Sequence, residues 1–297
     1  MRLFSMVLVF DVGGMSTKIA LIDSKTDQII IKDQIIYSNF INGKSLLFEI
    51  KKKINQFKNN NSKAICISSC GIINSISGEI SGSSAIKDYY LINYKKDLKE
   101  FNLSIFIEND ANCAAICESQ IGVAKNNKNA VFLVIGTGIG GAIIINKMLY
   151  KGSDLFAGEF GCSLVKIQNN QYINVSESYS AKAIETNYFT LTNKKLTAKE
   201  IFNKYKEDKV AKKVINKIIN GLCKLMINIT TIIDPEVFVI GGAISQNQLF
   251  INLLNKKFKK YMTMSNINLD IKIKPAMFFN DANIYGAYLL YKKDLYV

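Results

Sequence analysis

Residues 131–145 read Val131-Phe-Leu-Val-Ile135, then Gly136-Thr137-Gly138-Ile139-Gly140-Gly141, then Ala142-Ile-Ile-Ile145. Gly136, Gly138 and Gly141 have the G-x-G-x-x-G spacing of dinucleotide folds, but that fingerprint requires a helix after the turn. Here the turn runs into a β-branched stretch that favours a strand. The same strand, glycine turn, strand layout opens the chain: Met6-Val-Leu-Val-Phe10, Asp11-Val-Gly13-Gly14-Met15-Ser-Thr-Lys18, Ile19-Ala-Leu-Ile22. Two hairpins whose tips expose backbone N–H groups can clamp phosphates. The pattern points to phosphate chemistry and away from a Rossmann dehydrogenase.

A chain of 297 residues can bury a large core and is expected to divide into two domains. Arg2–Phe10 is too short before Asp11 for a secretory signal, and the apolar run at 131–145 holds four glycines and falls short of a membrane span. We expect a cytoplasmic protein with no membrane partner. The net charge of +14 rests almost wholly on lysine, since Arg2 is the one arginine. Scattered lysine pairs without arginine forks argue against a nucleic-acid partner and describe a solvated surface. The sequence has no histidine, which excludes His general bases, Ser-His-Asp triads and His-ligated metals. Proton transfer falls to Asp, Glu, Lys, Tyr or Cys. The six cysteines form no C-x-x-C pair, and their apolar settings predict reduced, buried thiols.

Strands are predicted at Met6–Phe10, Thr17–Asp23, Gln28–Ser38, Ala64–Ser69, Asn102–Ile107 and Val237–Ile240. Helices are expected at about 44–57, 111–120, 178–190, 197–206 and 209–233, the last stopped by Asp234-Pro235. Two further helices follow, one from about Gln246 and one over about 281–294. In the latter, Gly286 would permit close packing.

Five motifs carry a resemblance: Asp11-Val-Gly-Gly14, Glu108-Asn109-Asp110-Ala-Asn-Cys-Ala-Ala115, Gly136-Thr-Gly-Ile-Gly-Gly141, Ala157-Gly-Glu159-Phe-Gly161 and Ile240-Gly241-Gly242-Ala-Ile-Ser245. Their order and spacing resemble the ROK (repressor, ORF, kinase) sugar kinases over essentially the whole chain. The resemblance implies an α/β actin/hexokinase-like (ribonuclease H-like) ATPase fold, with two domains around a cleft. One domain would be residues 1–117 plus 281–297, the other 118–280, with hinges at Cys117–Asn126 and before Asp281. It implies an ATP- and Mg²⁺-dependent kinase acting on a hexose or hexoside hydroxyl, O6 above all, and a homodimer. Glucose or β-glucoside kinases and N-acetylmannosamine kinases are the alternatives. Non-catalytic readings are a sugar-responsive regulator or a pseudokinase. The family's repressors carry a helix-turn-helix before the first glycine turn, for which Asp11 leaves no room.

By the same resemblance Asp110 is the base and Asn109 a sugar ligand, while an N-cap role for Asp110 is compatible with this. Gly71, Glu159 and Glu177 are implied sugar contacts; Glu177 also reads as an exposed acid at a helix N-terminus. Asp11 would hold Mg²⁺ through water, with Gly13, Gly14 and Lys18 beside it. Gly136, Thr137 and Gly138 would line the phosphates, and Gly241 and Gly242 the adenosine pocket. Met15 replaces the family's Thr, Cys70 its Pro and Cys162 the His of its zinc site. With no Cys or His in 163–180, no zinc site is expected.

Overall fold

The computed structural model describes residues 5–37, 41–82, 84–166 and 170–294; Arg2, Ser38 and residues 167–169 of the 163–180 stretch lie outside them. The chain forms two compact units. The first comprises Met1–Cys117, Ser153–Phe156 and Asn280–Val297, and the second Glu118–Gly152 and Ala157–Phe279.

The first unit contains β1 (Met6–Val12), β2 (Ser16–Asp23), β3 (Gln28–Ile36), α1 (Gly43–Phe57), β4 (Ser62–Ser69), the short pair β5 (Ile72–Ile73) and β6 (Ile80–Ser81), α2 (Tyr94–Asp97) and β7 (Ser104–Asn109). Helix α3 (Asp110–Gln120) follows, and the boundary between units falls inside it. The sheet order is β3-β2-β1-β4-β7, with β1, β4 and β7 parallel and β2 and β3 antiparallel. All seven residues of β1 are buried, as a central strand covered on both faces requires. Leu8, Phe10 and Val12 pack with Leu46, Ile50 and Ile54 of α1. Val7 and Val9 pack on the opposite face with Ile284, Ala287 and Tyr288 of the last helix, Ala282–Asp294. In that helix a Cβ on Gly286 would overlap the Cys113 carbonyl, the close approach expected from the sequence.

The second unit repeats the plan. It holds β8 (Ala130–Ile135), β9 (Ile139–Ile145), β10 (Met148–Tyr150), β11 (Leu164–Lys166), β12 (Tyr172–Asn174), α4 (Val175–Tyr179), α5 (Ala181–Thr192), α6 (Ala198–Asn203), α7 (Lys209–Ile233), β13 (Val237–Gly241), α8 (Gln248–Met264) and β14 (Lys272–Pro275); Ala282–Asp294 is α9. The sheet order is β10-β9-β8-β13-β14, strand for strand the topology of the first sheet. Helix α7 buries Val214, Ile215, Ile218, Leu222, Met226 and Ile229 along one face. Asp234 ends it in the left-handed conformation, φ 48°.

Several boundaries differ from the sequence reading. The helix expected over 178–190 is two, because Ser180 leaves helical geometry and caps α5 by accepting from Ala183 N. Strand β7 begins at Ser104, because Asn102 is left-handed (φ 51°). Strands β10 and β14 were not anticipated. Glu118, 1% exposed at the unit boundary, accepts from Val123, Met277 and Phe278 backbone N–H groups. Two thiols also depart from expectation: Cys70 is half-buried and Cys162 exposed, whereas Cys66, Cys113, Cys117 and Cys223 are buried.

Candidate active site

In the first unit three parallel strands end level with one another: Val12 lies beside Ser69, and Ser69 beside Asn109. One step back, Asp11, Ser68 and Glu108 form a second row. Ligand sites of open α/β sheets lie beyond such carboxyl ends, because the connecting loops and helix N-termini gather there. The predicted Asp11, Gly13, Gly14, Gly71, Asn109 and Asp110 all fall on this edge.

Asp11 is 5% exposed. Ser68 Oγ and Asn283 Nδ2 donate to its Oδ1 at 2.9 and 3.0 Å. Lys18, directly opposite on β2, reaches its Oδ2 at 3.3 Å. Three donors from two strands and a helix hold the carboxylate in one orientation. A single carboxylate without further acidic ligands suits a hydrated Mg²⁺ and not a protein-caged metal. Among the described residues no group of three or more His, Cys, Asp or Glu could hold a metal ion. The hairpin tip is tight, with Gly13 N donating to Ser16 O at 3.0 Å, and Met15 points outward at 85% exposure. Lys18 sits in the strand, away from the tip, as the partner of Asp11.

At the end of β7, the capping role considered for Asp110 belongs to Asn109. Its Oδ1 accepts from Asn112 N at 3.1 Å, while its Nδ2 donates to Gly71 O at 2.9 Å. Asp110 opens helix α3, and its Oδ1 accepts from Ala111 N at 2.8 Å. A carboxylate at the N-terminal end of a helix is favourably placed against the helix dipole. Gly71 has φ +94°, and a Cβ there would come within 2.8 Å of Ser81 O, so glycine is required. Burial pushes the Cys70 thiol up, and the nearby Asp110 and Asp11 charges push in the same direction, so it is a poor nucleophile. Glu108, 3% exposed, was missed as a site residue. It accepts from Asn109 N (2.8 Å), Asn112 Nδ2 (3.0 Å) and Ser75 Oγ (2.6 Å).

The second unit builds its own glycine edge. Gly136 N donates to Gly138 O at 2.9 Å, closing the tip, and Thr137 is exposed. A Cβ on Gly136 would meet nothing within 4 Å. Gly242, at the end of the neighbouring parallel strand β13, has φ +83°, and its Cβ would overlap the Ile135 carbonyl just before that tip. Gly136–Gly138 and Gly241–Gly242 are thus neighbours. Ser176, another residue not anticipated, pins the hairpin by accepting from Ile139 N at 2.9 Å.

Glu159 lies between Gly158 and Gly161, both pressed onto β9. Among the described residues no donor reaches its carboxylate, and half-burial raises its pKa. Glu177 is exposed at the start of α4. Its backbone N donates to Asn174 Oδ1, and its Oε1 accepts from Asn174 Nδ2. That arrangement corresponds to the helix-terminus alternative.

The description of the ROK family matches residues 7–294. The chain belongs to the ROK family. It is 30% identical over 290 residues to a β-glucoside kinase of Listeria innocua, covering 95% of each chain. A ROK family protein from Streptococcus pneumoniae in complex with sucrose superposes with TM-score 0.86 at 27% identity, over 97% of this chain and 99% of that one. A ROK glucokinase from Streptomyces griseus in complex with glucose and AMPPNP has TM-score 0.79 at 18% identity, over 96% and 98%. At that identity it speaks for the fold alone. The fold is the α/β actin/hexokinase-like fold expected from the motifs.

Proposed function

We propose that this ROK protein is an ATP-dependent sugar kinase acting on a hexose or hexoside hydroxyl, with O6 of a glucose or β-glucoside as the acceptor. The observation that carries the reading is Asp110, held at the head of α3 beside the Asn109–Gly71 hydrogen bond, in a chain without histidine. The hydroxyl gives its proton to Asp110 as its oxygen bonds the γ-phosphorus, and the bond to the bridging oxygen breaks to release ADP. Gly71 and Asn109 would orient the sugar. Gly136, Thr137 and Gly138 would present backbone N–H groups to the phosphates, with Gly241 and Gly242 beneath the adenosine. Asp11 would hold Mg²⁺ through water, supplying positive charge against the phosphate oxygens.

Relatives whose names specify a β-glucoside kinase, an N-acetyl-D-glucosamine kinase and an N-acetylmannosamine kinase support the reaction class and define the substrate panel. By the same reading the protein works in the cytoplasm as a homodimer; among the described residues no helix is long and apolar enough to cross a membrane. Coupled ADP release over cellobiose, glucose, N-acetylmannosamine and N-acetylglucosamine is the test. We expect sugar-dependent, Mg²⁺-dependent release, greatest with glucose or cellobiose. ADP release that no sugar stimulates would reject the reading.

A further inference from the structure

The β7–α3 junction grips the segment Gly71–Ser75 at both ends. Asn109 Nδ2 donates to Gly71 O at 2.9 Å, and Ser75 Oγ donates to Glu108 Oε2 at 2.6 Å. The other Glu108 oxygen accepts from Asn109 N and Asn112 Nδ2, so one buried carboxylate joins the strand end, the first turn of α3 and the segment's far end. We infer that Glu108 is a positioning residue that sets the Gly71–Ser75 segment at a fixed place relative to Asp110. This rests on reading Gly71 as sugar-facing and Asp110 as the base.

A buried carboxylate is costly unless every oxygen is satisfied, and hydrogen bonds to charged groups are among the stronger ones. The far side of the segment is already rigid. Asn74 Oδ1 accepts from Ile76 N and Ser77 N, and Asn93 Nδ2 donates to Ser77 O. Ser75 sits in that turn, so the Glu108 bond transmits the position of α3 to a stiff hairpin. The role requires hydrogen-bond geometry and not charge. A glutamine could accept from both N–H donors through its carbonyl and donate its amide N–H to Ser75 Oγ.

The test compares Ser75→Ala, Glu108→Gln and Glu108→Ala with the unaltered full chain. In Ser75→Ala the KM for sugar should rise about tenfold, the factor that 1.4 kcal/mol represents at 25 °C, with kcat nearly unchanged and the melting temperature lowered because Glu108 Oε2 loses its donor. Glu108→Gln should retain near-normal KM, whereas Glu108→Ala should lose at least as much as Ser75→Ala. Should Glu108→Ala not fold, the other two variants decide. An unchanged KM in Ser75→Ala, or a loss in Glu108→Gln as large as in Glu108→Ala, would overturn the inference. Hydrogen exchange of the Gly71–Ser75 amides, without ATP or sugar, separates this from the kinase reading. If no sugar is phosphorylated by the unaltered chain, the kinase reading fails. Faster exchange in Ser75→Ala would still support the clamp, and unchanged exchange would refute it.

Discussion

Two glycines a few ångströms apart in the second unit should respond oppositely to the same substitution. Gly136 has no positive φ, and an added Cβ would meet nothing within 4 Å. Alanine there removes freedom from the unfolded chain, which at a compatible site stabilises by about 0.4–1 kcal/mol. Gly242 has φ +83°, and its Cβ would lie 2.9 Å from the Ile135 carbonyl carbon, closer still to the oxygen. A non-glycine residue in a sparsely populated backbone region costs about 1–3 kcal/mol, and overpacking adds about 1–3 kcal/mol. At about 2–4 °C per kcal/mol for a unit of this size, Gly242→Ala should melt at least about 4 °C lower. Gly136→Ala should melt level with or slightly above the unaltered protein. Function should invert the order of tolerance at Gly136. If a phosphate fills the open space there, a methyl group displaces it from the N–H donors. Losing a hydrogen bond to a charged group costs about 1.5–3 kcal/mol, or about 10–100-fold in KM for ATP. Thermal melts and ATP titrations on both variants are the assay. A Gly136→Ala protein with normal KM for ATP, or one melting several degrees low, would refute the reasoning.

Asp110→Asn should lose transfer by about 10²–10⁴-fold, as typical of general-base removal, while calorimetry finds sugar affinity largely kept; near-normal turnover would remove Asp110 from the mechanism. Glu159→Gln should raise thermal stability near neutral pH. The raised pKa of Glu159 means the folded chain holds its proton more tightly than the unfolded one, so its ionisation opposes folding as pH rises through the folded pKa. The gain should vanish below the unfolded carboxyl pKa, and melting curves against pH would expose a gain of the opposite slope. Elemental analysis should find no stoichiometric zinc, with activity dependent on added Mg²⁺; one tightly bound zinc per chain would contradict the reading of Asp11 and Cys162.

Both glycine hairpins were legible because β-branched runs flank them, and a turn between such runs has few alternatives. Helix α7 was legible from its apolar spacing and the Asp234-Pro235 stop. Strand β14, Lys272-Ile-Lys-Pro275, was not: it is short, half-lysine and ends in proline, and only parallel pairing with β13 makes it a strand. The 178–190 segment reads as one helix because Ser180 is tolerable inside a helix; its capping role depends on where Ala183 N points. Asn109 and Asp110 are adjacent residues at the same helix start, and either could cap. Their roles separate only when Gly71 O is seen to take the Asn109 amide. Glu108 gave a sequence signal in retrospect: an acid beside Ile107, at the end of an apolar strand, should be buried and answered by donors. Its donors lie 1, 4 and 33 residues away, and the most distant is the one that matters to the hairpin.

The central claim is that a sugar hydroxyl takes the γ-phosphate of ATP. Mass spectrometry of the sugar after incubation with ATP, Mg²⁺ and the unaltered protein tests this most directly. The account predicts a sugar monophosphate formed one for one with ADP; ADP accumulating beside unmodified sugar and free phosphate would contradict it.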